Sequence, residues 1–173
     1  MIEKTIKGIK YSLNEETLTA EIMYKKGYKG DFIIPETVEL KKVSYLVTSI
    51  GLEAFFECSS LTTIVIPNNV THIGSYAFSG CHSLKNIVLN DNLLTLGTGI
   101  FNDCFAMESI TFPKKITAIP ATAFHECYAL SEVNLPEGLI SIGEMAFAYC
   151  SSLKTVQLPK TVTSLYRSFA TSG

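Results

Sequence analysis

The stretch IPNNVTHIGSYAFSGCHSLKNIVL, residues 66–89, contains one complete copy of a unit that recurs along the chain. Its cysteine belongs to a series in which each member follows the last by 23 residues. A phenylalanine keeps the same step, always three residues before the cysteine. Several columns that share one period predict a structural repeat. The two most regular columns are Cys58, Cys81, Cys104, Cys127 and Cys150, and Phe55, Phe78, Phe101, Phe124 and Phe147.

The unit can be written V-T-x-I-G-x-x-A-F-x-x-C-x-x-L-x-x-I-x-L-P-x-x. Five full copies occupy residues 47–69, 70–92, 93–115, 116–138 and 139–161. A sixth copy, residues 162–173, is partial or degenerate, because it lacks the glycine and the cysteine and its Phe169 comes one residue early. A unit this small cannot bury its own apolar face, so the copies must stack.

Each part of the unit predicts a local structure. L-x-x-I-x-L alternates with a period of two and is typical of a short strand. Proline follows in four copies and ends the strand, because it has no amide to donate. The glycine permits a sharp turn, and A-F-x-x-C predicts one or two helical turns. We therefore predict an α/β fold: a right-handed solenoid with a parallel sheet on one face and short helices on the other.

The repeat resembles the BspA-like, Treponema-type leucine-rich repeat family, and the resemblance covers about residues 47–173. The common leucine-rich repeat carries L-x-x-L-x-L-x-x-N/C. The ninth position here holds Asn69, Asn92, Lys115, Gly138 and Thr161, which form no asparagine ladder.

The resemblance implies a non-enzymatic binding module, surface-displayed or secreted, often bacterial, with a role in adhesion. It carries over no catalytic residue, and we expect no cofactor and no metal. Residues 1–20 contain no apolar stretch typical of a signal peptide. The alternatives at this point are a cytoplasmic protein and a mature chain from which a leader has been removed.

Residues 1–46 depart from the repeat. Ile9, Tyr11 and Leu13 alternate with polar residues, and a second alternating run, residues 18–24, follows Asn14-Glu15-Glu16. This pattern predicts a β-hairpin that caps the open end of the solenoid. Residues 34–38 match residues 66–70 and predict a partial first rung of the solenoid. Residues 39–46 are then an insertion.

Composition excludes several classes of function. The chain has 173 residues, 47% of them hydrophobic, and a net charge of −2. That apolar content excludes intrinsic disorder, and the charge gives no field that would attract a nucleic acid. No apolar run reaches the ~18 residues that a membrane span needs. No G-x-S-x-G, P-loop or H-E-x-x-H motif occurs, so the sequence offers no support for an enzyme.

The cysteines and carboxylates have both a chemical and a structural interpretation. Zinc needs ligands that converge on one point, whereas a column places one thiol on each rung, so we predict free, buried cysteines. Glu57, Asp103 and Glu126 share the position before the cysteine, but Gly80 and Tyr149 interrupt the row. We interpret this row as a solvated edge, since calcium needs six to eight oxygen ligands. The three histidines occupy different repeat positions and are interpreted as solvated surface residues.

The outward positions of the predicted sheet are the candidate contact surface. They carry one charge between them and suit a protein or glycan partner. A plain solvated face is the alternative, and self-assembly through the repeats is a second possible function, with a weak dimer through residues 153–173. Exposed aromatic residues on the opposite side form a second surface: Phe56, Tyr76, Phe105, Tyr128 and Tyr149. The candidate contact residues are Thr63, Val65, Asn86, Val88, Ser109, Thr111, Glu132, Asn134, Thr155 and Gln157.

Overall fold

A computed structural model describes residues 1–170, which contain fifteen β-strands. The L-x-x-I-x-L motif forms the first column of parallel strands, which we call the front column. Its members bond to one another in one group of three strands, the first three along the chain, and one group of two. The front column consists of β4 (Gly30–Ile33), β7 (Leu61–Val65), β9 (Asn86–Val88), β11 (Ser109–Thr111) and β13 (Glu132–Asn134).

The V-T-x-I motif forms a second column of parallel strands, the back column. Equivalent residues pair across one period, as in Ser49 with His72 and Ile50 with Ile73. The solenoid therefore has two strand columns, joined on one side by the segment that carries phenylalanine and cysteine. The back column consists of β6 (Val43–Ile50), β8 (His72–Ile73), β10 (Thr95–Leu96), β12 (Ala118–Ile119), β14 (Ser141–Ile142) and β15 (Ser164–Leu165).

The N-terminal part forms an antiparallel sheet that continues into the back column. Strands β1 (Ile2–Ile6), β2 (Ile9–Asn14) and β3 (Thr19–Ile22) are antiparallel, and β3 pairs in parallel with β6. A further strand, β5 (Thr37–Leu40), forms a hairpin with β6. The turn of that hairpin uses Lys41 and Lys42, both with positive φ, which suits a tight hairpin. Strand β4 pairs in parallel with β7 and completes the first turn of the solenoid in the front column.

The prediction of an α/β fold with short helices on one face is wrong, because residues 1–170 contain strands and no helix. The A-F-x-x-C segments are successive tight turns. Their amides alternate between two directions: Cys81 N donates to Phe78 O within its own turn, whereas Phe78 N donates to Ile100 O of the next rung. In an α-helix every amide donates to a carbonyl four residues earlier in its own segment. Amides that donate to the next rung cannot also form the hydrogen bonds of such a helix.

The backbone angles of these segments oppose a helix as well. The residues two before and two after each phenylalanine of the five full copies have positive φ. Eight of these ten are not glycine, and their φ values lie between 51° and 62°. A left-handed conformation at two positions in five residues cannot belong to a right-handed helix. The positions are 53, 76, 99, 122 and 145, and 57, 80, 103, 126 and 149.

The glycine of the repeat serves close approach between rungs. A Cβ atom at Gly97 would lie 2.1 Å from the backbone nitrogen of Ser75. Its amide donates to Ile73 O of the preceding rung at 2.8 Å. Glycine therefore lets two rungs pack backbone against backbone.

The core is a column of stacked phenylalanine rings along the axis. The rings of Phe55, Phe78, Phe101, Phe124 and Phe147 are fully buried, and neighbouring centroids lie 5.1–5.5 Å apart. Phe169 of the sixth copy continues the stack at 5.1 Å from Phe147 despite its early position. Tyr28 lies against Phe55 at 4.7 Å at the other end of the stack. Each enclosed ring contributes about 1.5–3 kcal/mol from burial alone.

Candidate functional site

The candidate contact surface lies on the outer side of the front column. Thr63 pairs with Asn86, and Val65 with Val88, on hydrogen-bonded strands. Ser109 pairs with Glu132, and Thr111 with Asn134, in the same way. Val65 and Val88 are 44% and 63% exposed, although both are apolar. The remaining predicted positions are also exposed, apart from Thr63, which is half-buried. Thr155 and Gln157 lie in a segment without strand structure.

Two residues of β4 extend this surface and were missed from sequence. Ile33 pairs with Val65 and is 74% exposed, so Ile33, Val65 and Val88 form one apolar row across three strands. Asp31 accepts hydrogen bonds from the hydroxyls of Thr62 and Thr63, both at 2.8 Å, and these bonds lower its carboxyl pKa. The available signal was the Ile34-Pro35 match to Ile66-Pro67, which places Ile33 opposite Val65.

The front column is interrupted where the pairing between strands stops. Among residues 1–170, no ladder joins β9 to β11. A cleft of about 310 Å³ lies there, with Val88 and Leu89 on one side and Thr111 and Phe112 on the other. A second cleft, of about 530 Å³, lies beyond β13 and includes Asn134 and Gln157 in its lining. The surface therefore combines a flat apolar row with two concave sites.

The turn side carries a second column of rings. His82, Phe105 and Tyr128 stack with centroids 4.5 Å and 5.2 Å apart. Phe105 therefore has a ring against each of its faces, whereas His82 and Tyr128 each have one face covered within this stack. Tyr149 instead contacts His125 edge to face at 5.2 Å. Part of the predicted aromatic surface is thus occupied by contacts between rungs.

All five cysteines are free and buried. Four of the thiols donate a hydrogen bond to the carbonyl of a phenylalanine 26 residues earlier, as Cys104 does to Phe78 O at 3.2 Å. Desolvation by burial raises the pKa of these thiols, and that of Cys150 rises to about 12. Such thiols are poor nucleophiles, because the thiolate is the reactive form. The column is therefore structural.

Among the described residues there is no helix, and hence no helix that could cross a membrane.

Comparisons with known proteins agree with this architecture. A family model described as BspA type leucine rich repeat region matches residues 48–172 in six copies. A leucine rich cell surface protein from Faecalibacterium prausnitzii is 25% identical, with a TM-score of 0.63 over 95% of this chain and 55% of that one. A leucine-rich repeat protein from Bacteroides capillosus is also 25% identical, with a TM-score of 0.64 over 76% of this chain and 96% of that one.

A leucine-rich repeat protein from Eubacterium ventriosum is 23% identical, with a TM-score of 0.74 over 98% of this chain and 50% of that one. This likeness shows the fold alone. The chain spans about half the length of the Faecalibacterium and Eubacterium proteins. No curated protein matched the chain. The family match covers most of the sequence and confirms the resemblance, so the chain belongs to the family of BspA-type leucine-rich repeat proteins.

Proposed function

We propose that this chain is a non-enzymatic binding module that acts at a bacterial cell surface or after secretion and contacts a protein or glycan through its front column. The observation that carries the proposal is the exposed apolar row of Ile33, Val65 and Val88. Three apolar side chains on adjacent strands expose a contiguous patch, and such patches mark interaction sites. The similarity to a Faecalibacterium cell surface protein supports the location.

The surroundings of the row fit an interface. Asn86, Thr111 and Asn134 offer hydrogen-bond donors and acceptors beside it, and all three are exposed. An apolar centre with a polar rim is the usual arrangement of a protein–protein contact. Branched aliphatic side chains without a flat ring favour a protein over a glycan as the partner. The patch is small, so one module binds weakly, and neighbouring modules would raise the avidity.

The proposal is tested with a variant that changes the front column alone. Val65→Lys, Val88→Lys, Asn134→Ala and Gln157→Ala are combined, since all four side chains are exposed and the core is untouched. Binding to a partner found on a glycan array or a panel of purified extracellular proteins is expected to weaken at least tenfold. That factor corresponds to about 1.4 kcal/mol. The melting temperature is expected to stay nearly unchanged.

A matched control adds the same two charges to the back column. Thr95→Lys and Ala118→Lys lie at exposed positions of β10 and β12. This control variant is expected to bind like the parent. If the front-column variant keeps the parental affinity for a verified partner, the contact lies elsewhere. The aromatic edges of Phe105, Tyr128 and Tyr149 would be the next surface to change.

Self-association is the second candidate function, and the C-terminal end of the solenoid favours it. Strand β15 pairs only with β14 among the described residues, and Leu158, Leu165 and Tyr166 expose 44%, 46% and 61% of their surface. An open strand edge with exposed apolar side chains is prone to pair with another chain. Residues 171–173 of the proposed dimer region lie outside the described residues.

Light scattering across a range of protein concentrations tests this second candidate. The average mass of the parent is expected to rise with concentration, and Leu165→Lys is expected to remain a monomer. Leu94→Lys provides the control, because Leu94 is as exposed as Leu165 but lies away from the C-terminal edge. A parent that stays monomeric throughout would reject self-association.

A further inference from the structure

Asp103, His125 and Glu126 meet on the turn side of two adjacent rungs. Each offers one ligand atom, and these atoms all lie within 4.8 Å of one another. Asp103 and Glu126 share one repeat position, and His125 precedes Glu126 at a neighbouring position. All three residues are half-buried. One imidazole nitrogen and two carboxylate oxygens at such distances can converge on a single ion through small side-chain rotations, since zinc binds these atoms at about 2.0–2.2 Å.

Neighbouring side chains hold the members of this cluster in place. The Tyr128 hydroxyl donates to Glu126 Oε2, while Glu126 Oε1 faces His125 Nδ1 at 3.7 Å. Asn102 Nδ2 donates to Asp103 Oδ2 at 3.3 Å. The His125 ring packs against Tyr149. Metal ligands are commonly oriented by an outer layer of hydrogen bonds of this kind.

Two further observations distinguish the cluster from an ordinary acidic edge. Asn102 Oδ1, next to Asp103 in the chain, is buried and has no hydrogen-bond partner within residues 1–170. A buried oxygen without a donor costs free energy. The described residues supply no hydrogen-bond donor to Asn102 Oδ1. The carboxylate oxygens of Asp103 and Glu126 lie within 4.8 Å of each other, so their charges repel unless a cation lies between them.

We propose that Asp103, His125 and Glu126 form a binding site for a divalent transition-metal ion, with zinc as the probe. An imidazole ligand favours zinc over calcium, which prefers six to eight oxygen ligands. Three protein ligands leave at least one coordination position for water or for a donor group of a partner. The site lies on the turn side and is independent of the front column.

The same column of the repeat supplies a matched control. Glu57 occupies the position of Asp103 and Glu126, but the neighbouring rung has Gly80 there, so Glu57 has no second carboxylate beside it. If zinc binding requires two adjacent carboxylates and the imidazole, Glu57→Gln leaves the zinc affinity unchanged. If any acidic edge binds cations, Glu57→Gln lowers the zinc affinity as the other substitutions do.

Isothermal titration of the tag-free, reduced protein with zinc chloride tests the site. The parent is expected to bind one zinc ion, and Asp103→Asn and His125→Ala are each expected to weaken binding at least tenfold. Tyr128→Phe removes an outer hydrogen bond and is expected to weaken it about tenfold. Glu57→Gln is expected to bind within twofold of the parent. Calcium chloride is expected to give no saturable binding.

Zinc is also expected to raise the melting temperature of the parent and of Glu57→Gln, because an ion that binds the folded state stabilises it. It is expected to leave that of Asp103→Asn unchanged. Equal zinc affinity in Asp103→Asn, His125→Ala and the parent would overturn the proposal. Zinc binding by the cysteine thiols would give this same outcome, because all of these variants retain the thiols.

Discussion

Raising the pH above 9 is expected to unfold this protein under reducing conditions, because its buried thiols keep their protons in the folded state only. Desolvation raises the pKa of Cys81, Cys104 and Cys127 above the ordinary value of 9.0, and that of Cys150 to about 12. Below pH 9 both states are protonated, so the stability is fully present. Above pH 9 the unfolded chain releases protons that the folded chain retains, and stability falls until the folded-state pKa values are passed.

The free energy of unfolding is expected to fall steeply as the pH rises above 9. Each thiol that is ionised only in the unfolded state lowers the free energy of unfolding by about 1 kcal/mol per pH unit. Four such thiols act together, so a rise of two pH units removes about 8 kcal/mol, which is comparable to the whole stability of an ordinary domain, about 5–15 kcal/mol. The measurement is denaturant unfolding followed by circular dichroism between pH 8 and 11, with a phosphine reductant.

Cys104→Ala provides the comparison, since it removes one fully buried thiol. Its free energy of unfolding is expected to fall less steeply with pH than that of the parent, by about 1 kcal/mol per unit. Burial also raises the pKa of Tyr11, to about 12, which acts in the same direction above pH 10 and is present in both proteins. Parallel curves for the two proteins would refute the role of the thiols.

Phe101→Ala is expected to destabilise the fold by about 3–5 kcal/mol, the range typical of large-to-small substitutions in cores. Phe101 is fully buried at the centre of the stack, between Phe78 and Phe124 at 5.5 Å and 5.3 Å. Its removal leaves a cavity and takes a stacking partner from both neighbours. The rungs are fixed by hydrogen bonds on either side, so the cavity cannot easily collapse.

The terminal ring of the same stack is the control for this substitution. Phe169 is only partly buried and stacks on Phe147 from one side. Phe169→Ala is therefore expected to lose less than half as much stability as Phe101→Ala in the same denaturant titration. Equal losses in the two variants would show that the stack does not act as a continuous column.

The strand columns could be predicted from the sequence because stacking converts a sequence period into spatial pairing. Thr63 pairs with Asn86 since both occupy one position of the repeat. The helices could not be excluded in this way, because a period shows which residues are equivalent and not where each amide donates. The amide of Phe78 bonds to the next rung, and that choice depends on a neighbour that local sequence does not contain.

The candidate sites, like the fold, could be predicted only in part from the sequence. Val65 and Val88 could be placed outward by alternation alone. Ile33 was missed because the spacing from Ile34 to Ile66 is longer than one repeat, so the 23-residue period alone does not align Ile33 with Val65. The three histidines belong to different positions of the repeat, and among residues 1–170 only His125 lies in a cluster of potential metal ligands. The approach of His125 to Asp103 was missed from the sequence, because side chains of neighbouring positions meet across adjacent rungs and not within one column.

The contacts between neighbouring rungs have an evolutionary consequence. Four of the five thiols donate to a carbonyl one rung earlier and each ring stacks on the ring one rung away, so these contacts of a rung end at its immediate neighbours. Unequal recombination that adds or removes one complete copy recreates the same contacts at the new junction. An insertion of any other length inside a copy disrupts them. Descendants of such a gene can therefore differ in the length of their arrays, in whole repeats, without the invention of a new core.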